Sequence, residues 1–317
     1  GNHDYHDERF SADHAQQSGE MAYYQSFSMP TKGEAGGVPS NTQAFYSYDI
    51  GNVHFLSIDS HGEEDNASRL FDTLGRQVRW IKEDLAANKK DWVVAYWHHP
   101  PYSMGSHNSD TETQLIKIRE NFVGILERYG VDLVLCGHSH SYERSKLMKG
   151  HFGIEQSFDT KYFLSTSSGK YDGTSNSCPY IKDESNKGTV YVVSGSAGAL
   201  DHAQTSFPHD ALPYADISVG GASMIEVEGN RLDLKWIASN GEIRDRFTMM
   251  KNVNKKTVIN IKKGQKAVLK ASYVGEYSWK GSKLKTRSIE VRPNVTTTYT
   301  VQDRYSCIQD VFEVNVK

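Results

Sequence analysis

Two short segments constrain this sequence more than any others: "WVVAYW" (92–97), running into "HHPPY", and "VDLVLC" (131–136), running into "GHSHSYER". Each is an uninterrupted apolar run that stops at histidine. A strand with one wet face alternates, whereas one buried on both faces does not. Such runs therefore predict interior strands with parallel neighbours. Each follows an amphipathic stretch. In 72–88, Leu74, Val78, Ile81 and Leu85 recur at helical spacing, and in 110–129 Leu115, Ile118, Phe122, Ile125 and Tyr129 do the same. The "DTET" opening of the second stretch supplies a cap and acidic charge at the positive helix end, and Gly130 a stop. Helix followed by buried strand, twice over, indicates βαβ-type units.

Further strands are predicted at "NVHFLSID" (52–59), "GTVYVVSGSAG" (188–198), "SMIEVEG" (223–229), "RLDLKWIA" (231–238) and "EIRDRFTMM" (242–250). The "EGNR" turn makes the last three read as an antiparallel meander. The expected fold is an α/β (α+β) layered sandwich, with mixed β-sheets flanked by helices. From about residue 252 helical periodicity disappears. Period-two alternation with frequent turn signals predicts a second, smaller all-β sandwich, with Trp279 packed between its sheets. The expected domains are thus 1–251 and 252–317. The Gly-, Ser- and Asp-rich stretch 150–187 reads as loops over the main domain.

A net charge of −3 gives no reason to expect a general nucleic-acid or anionic-membrane surface. No apolar run approaches the ~18–20 residues of a membrane span. Cys136, Cys178 and Cys307 are odd in number and far apart, matching neither zinc-ribbon spacing nor a disulfide framework.

The histidines carry the chemistry. In open sheets with parallel strands, ligands bind beyond the carboxyl ends of the strands. His98 follows one buried run, and His138 and His140 follow the other. In extended backbone, i and i+2 share a face, so His138 and His140 are expected to point into one crevice. Imidazole suits Zn, Fe, Cu or Ni, and Pro100 and Pro101 would stiffen the chain beyond His98. His99, Glu143 and Arg144 read as supporting residues. Asp4, Asp7, Glu8 and Asp59 are the nearest extra carboxylates. His6, His14, His61, His151, His202 and His209 lie in polar sequence and read as surface positions, with His202 on a loop that could border the cleft.

"GNHD" (1–4), "HHPPY" (98–102) and "GHSHSYERS" (137–145), in that order, resemble the later motifs of the calcineurin-like metallophosphoesterases. The Tyr-Glu-Arg of the last motif resembles the purple acid phosphatase branch. The spans 33–60 and "PYSMGSHNSD" (101–110) are similar to its bacterial members. The resemblance implies two metal ions, Fe with Zn or Mn. It implies that Asn2, through its amide oxygen, His98 and His138 ligate one metal and that His140 ligates the other. His3 would serve the phosphate as donor or acid, and His107 would bind phosphate or protonate the leaving alkoxide.

The residue types suit that chemistry. A phosphomonoester dianion repels hydroxide, so two metals ~3.5–4 Å apart neutralise it, deprotonate water and clamp the displacement. A neutral amide ligand adds no negative charge, and a histidine acid works at mildly acidic pH. The implied activity is hydrolysis of small phosphate monoesters by a metal-activated hydroxide. The alternatives are a phosphodiesterase or nucleotidase, or a non-catalytic secreted binding or adhesion fragment. The family's two aspartate motifs precede "GNH", so the resemblance further implies a longer protein whose upstream segment stays associated. The span "YSWKGSKLKTRSIEVRPNVTTTYTV" (277–301) resembles immunoglobulin-like modules of secreted bacterial enzymes, implying a secreted or periplasmic bacterial setting.

Overall fold

The computed structural model describes residues 1–5, 16, 21–64, 67–183 and 185–317. The chain forms two compact units, neither continuous in sequence. The first comprises Gly1–Ser165, Lys187–Ser223 and Trp236–Arg244; the second comprises Thr166–Asn186, Met224–Lys235 and Asp245–Lys317. Residues 166–186, expected as loops of the main domain, therefore count with the tail.

In the first unit, α1 (Ala22–Ser26), β1 (Tyr46–Ile50), β2 (Val53–Ser57), α2 (Arg76–Ala87), β3 (Trp92–Trp97) and β4 (Leu133–Cys136) precede β5 (Tyr142–Arg144). After β6 (Tyr180–Lys182) in the second unit come β7 (Val190–Ser194) and β8 (Tyr214–Asp216). The first unit's sheet has seven strands in the order β1-β2-β3-β4-β7-β5-β8. Its centre, β2-β3-β4-β7, is parallel, as the two uninterrupted runs demand. β1 lies antiparallel on one side, and β5 and β8 antiparallel on the other. The final pair of the β3–β4 register is Trp97↔Cys136. The two histidine segments therefore leave the sheet side by side, and Gly137 N donates to His98 O at 3.0 Å.

Both predicted helices form, with altered ends. α2 starts at Arg76, leaving Leu74 outside and 82% exposed, while Val78, Ile81 and Leu85 are buried. The second helix runs as α3 (Thr113–Lys117), a π-helical turn (Ile118–Phe122) and α4 (Val123–Arg128). The wider turn changes the phase of the apolar stripe. Leu115, Ile118, Phe122 and Ile125 remain buried, whereas Tyr129 is 38% exposed.

At the β1 edge, buried His54 of β2 lies between two carboxylates. Its Nδ1 is 2.8 Å from Asp49 Oδ1 and its Nε2 2.6 Å from Asp84 Oδ2 of α2. Asp84 Oδ1 also accepts from Ser47 Oγ at 2.9 Å and Val38 N at 2.6 Å. One clamp thus ties strand, helix and the glycine-rich loop before β1.

β9 (Gly221–Glu228), β10 (Arg231–Ala238) and β11 (Ile243–Lys251) follow, in a four-stranded sheet of order β6-β11-β10-β9. The tail supplies β12 (Lys256–Ile261), β13 (Ala267–Lys270), β14 (Ser278–Trp279), β15 (Ser288–Val291), β16 (Thr297–Gln302) and β17 (Gln309–Val316). These form a sheet ordered β12-β17-β16-β14 and the pair β13-β15. Trp279 is buried among Leu269, Tyr273, Val301 and Phe312, and its Nε1 donates to Thr286 O at 2.9 Å. Cys178 and Cys307, for which spacing gave no framework, form a disulfide within the second unit; Cys136 is a buried free thiol. Spacing could not reveal the pair because its members lie 129 positions apart. Among the described residues no helix is long and apolar enough to cross a membrane.

Candidate functional site

The site lies beyond the ends of β3 and β4, where their parallel register delivers it. His98 and His99 directly follow β3, and Trp97 Nε1 fixes the turn by donating to His99 O at 2.6 Å. The segment after β4 departs from expectation. Ser139 N donates to Gly137 O and Ser141 N to Ser139 O, each at 2.8 Å, so His138 and His140 each centre a three-residue turn. They are not alternate residues of an extended strand. His138 sits at φ 64°, a left-handed conformation that few residues other than glycine adopt. The backbone at Gly195 passes so close that an added Cβ would lie 2.0 Å from Ser139 O.

Three donor atoms converge in the crevice. His98 Nε2 is 2.8 Å from Asn2 Oδ1 and 3.1 Å from His138 Nδ1. The His99 ring lies 4.5 Å from that of His138, and its Nδ1 is held at 2.9 Å by Ser60 Oγ. His107 stacks on His138 with ring centroids 3.6 Å apart. Two sets, His98–His99–His138 and His107–Glu112–His138, place their ligand atoms within 4.8 Å of one another and could each hold a cation. Of the expected site residues, Asn2, His98, His107 and His138 are therefore brought together. His140 joins neither set, and its backbone N donates to Ser106 Oγ at 2.9 Å. His3 is exposed beside Asn2.

Glu112 escaped the sequence reading, which took "DTET" as a helix cap. It is the N-cap of α3, yet its side chain makes no capping bond. Instead its carboxylate meets His107 Nδ1 at 2.8 and 3.0 Å and His138 Nε2 at 3.3 Å. No spacing rule marks such a residue, because the contact to His138 spans 26 positions.

The loop carrying His107 is held from two directions. Buried Glu143 accepts from Ser103 Oγ at 2.6 Å, Met104 N at 3.0 Å and Ser141 Oγ at 2.8 Å, joining this loop to the His138 loop. Gly105 permits the approach, since a Cβ there would lie 2.3 Å from Ser141 Oγ. Arg119, from the π-helical turn, donates to Ser109 O at 2.6 Å and pairs with Asp110 at 3.0 Å. Arg144 is buried with its guanidinium 4.0 Å from the centre of the Tyr214 ring. Both Glu143 and Arg144 thus act as scaffold.

Electrostatics favour neutral imidazoles here. Burial and the neighbouring His138 push the His98 pKa down. Burial and the same imidazole neighbours push His99 still lower. Burial also lowers His138, outweighing its bond to Glu112. For Glu112, burial alone would raise the pKa, but the bonds from His107 and His138 prevail and lower it. Uncharged imidazole and ionised carboxylate are the ligating forms of these groups.

The other candidates separate clearly. Asp59 is engaged by Tyr5, by Gln16 at 2.6 Å and by the backbone of His61 and Gly62. Asp4 is exposed. His202 is exposed. His151 and His209, expected on the surface, are buried at 1% and 0% exposure. Burial lowers their pKa values to about 4 and about 3, with Arg119 adding to both. Tyr102, whose ring lies 5.8 Å from each, supplies the apolar surroundings that local sequence could not show. His6, His14, Asp7 and Glu8 lie outside the described residues.

Residues 1–142 match the calcineurin-like phosphoesterase family. That segment is similar to a calcineurin-like phosphoesterase domain, and purple acid phosphatases are among the proteins the chain resembles. It is 29% identical over 201 residues to an uncharacterised Mycobacterium tuberculosis protein, covering 61% of this chain and 33% of that one. It is 35% identical over 127 residues to purple acid phosphatase 23 of Arabidopsis thaliana, covering 39% and 24%. An acid phosphatase of Aspergillus ficuum is 32% identical over 162 residues, covering 39% and 25%. The chain thus spans a third or less of the length of these relatives. The fold resembles that of purple acid phosphatase PPD1 from yellow lupin (Lupinus luteus) seeds. That match has a TM-score of 0.51 and 19% identity, covering 66% of this chain and 33% of that one.

Proposed function

We propose that this phosphoesterase domain serves a dinuclear-metal phosphomonoesterase of the purple acid phosphatase type, using Fe with Zn or Mn. The observation that carries the reading is that Asn2 Oδ1 and His138 Nδ1 both lie within hydrogen-bonding distance of His98 Nε2, at 2.8 and 3.1 Å. Two imidazoles held neutral and one uncharged amide oxygen make a donor set that fits a borderline divalent cation. Asn2, His98 and His138 would hold one metal, and His140 would contribute to the other. Bound metals would neutralise the phosphate and acidify a water.

The protein's own residues supply the rest. His107, tied to Glu112 through Nδ1, keeps Nε2 for the phosphate or the leaving oxygen, with His3 as a second donor or acid. Small phosphorylated molecules are the proposed substrates. In this reading the phosphoesterase domain spans 1–251, and 252–317 is an immunoglobulin-like module of a secreted or periplasmic bacterial protein. The Cys178–Cys307 disulfide supports an oxidising compartment. The test is hydrolysis of an aryl phosphate by the full-length protein supplied with Fe and Zn. Saturable turnover that His138→Ala abolishes is expected; turnover unaffected by that substitution overturns the reading.

A further inference from the structure

We infer that Glu112 is a positioning residue, one carboxylate that fixes the tautomers of a metal-ligating histidine and a substrate-side histidine together. The inference rests on the metal site proposed above. Glu112 Oε2 lies 3.3 Å from His138 Nε2, while Oε1 and Oε2 lie 2.8 and 3.0 Å from His107 Nδ1. An ionised carboxylate only accepts hydrogen bonds. His138 must therefore carry its proton on Nε2, which leaves the Nδ1 lone pair facing His98 and Asn2. His107 must carry its proton on Nδ1, leaving Nε2 as the atom available to substrate.

The rest of the cluster agrees with this assignment. His98 Nε2–H then has two acceptors, Asn2 Oδ1 at 2.8 Å and His138 Nδ1 at 3.1 Å, and no two protons oppose each other. Glu112 is itself oriented by the backbone, since Asn108 N donates to Oε1 at 3.0 Å. The stacking of His107 on His138, 3.6 Å apart and 26° from parallel, brings both protonated nitrogens to the same carboxylate. Carboxylates on the distal nitrogen of a ligating histidine are a general device for fixing ring orientation and raising ligand basicity. Here the same group also spans to the residue proposed to face the substrate.

The test uses the metal-free full chain with 15N-labelled histidine. Wild type is expected to show His138 as the Nε2–H tautomer and His107 as the Nδ1–H tautomer. Glu112→Gln is expected to release His107 from the Nδ1–H form. It should also weaken Zn2+ binding by ~10–100-fold, the usual cost of losing an outer partner. Glu112→Asp keeps an acceptor and should restore the wild-type tautomers, which guards against a folding artefact. Identical tautomers in wild type and Glu112→Gln would overturn the inference, as would Zn2+ affinities within twofold of each other. If wild type binds no Zn2+, the metal reading fails, and the tautomer comparison alone decides the role of Glu112.

Discussion

His54 and His99 are both buried, at 1% and 4% exposure, yet they sit in opposite electrostatic settings. His54 touches two carboxylates, Asp49 and Asp84, one at each ring nitrogen. Burial alone would lower its pKa, but these bonds outweigh burial and raise it. His99 packs against His98 and His138, and burial and those neighbours lower its pKa. A histidine between carboxylates spends both nitrogens on structure. One among other imidazoles is held neutral instead. Burial by itself therefore does not set the charge of a histidine; the sign of the surrounding charge does.

The comparison can be broken most forcefully at Asp84. Asp84→Ala strips a buried charged group of its partner, which typically costs ~3–5 kcal/mol. A lowered urea midpoint with unchanged Zn2+ affinity is expected, and an unaltered midpoint would remove the contrast. His98→Ala should do the reverse. Deleting a proposed ligand should weaken Zn2+ binding by at least the ~10–100-fold that losing an outer partner costs, with the melting temperature in chelator nearly unchanged. Calorimetric titration beside a thermal melt reads both.

Acidity supplies a finer probe. The raised pKa of His54 makes its clamp fully stabilising below the unfolded value of ~6.5, and that contribution disappears as pH rises through the folded value. The stability difference between wild type and His54→Gln should thus shrink from pH 6 to pH 9. Parallel curves would show that the imidazole carries no charge there. The smallest effect is expected at Ser60, where Ser60→Ala leaves His99 Nδ1 without its hydroxyl. A loss of about 1 kcal/mol is expected, read from denaturant unfolding.

What the sequence revealed follows from how far each signal reaches. Uninterrupted apolar runs report burial on both faces locally, so β3, β4 and their parallel pairing were legible, as was the exit of His98 and His138 from the strand ends. The burial of Trp279 was legible instead from the all-β character of the tail around it. Leu74 matched the helical period but lies before the turn that starts at Gly75, since periodicity does not locate a helix end. The left-handed turn at His138, the contact of Glu112 with that residue and the burial of His151 and His209 depend on distant segments. No local pattern encodes them. The pairing of Cys178 with Cys307 is of the same kind.

That disulfide makes the linear order of the chain misleading in one practical respect. It closes a ring of sequence that contains β6 through β16, including β7 at the centre of the first unit's sheet. A protease that nicks any peptide bond between the two cysteines produces two polypeptides that remain one molecule. They would run as a single band until thiol is added. A preparation judged intact on a non-reducing gel can therefore already be cut, and only reduction reveals the break.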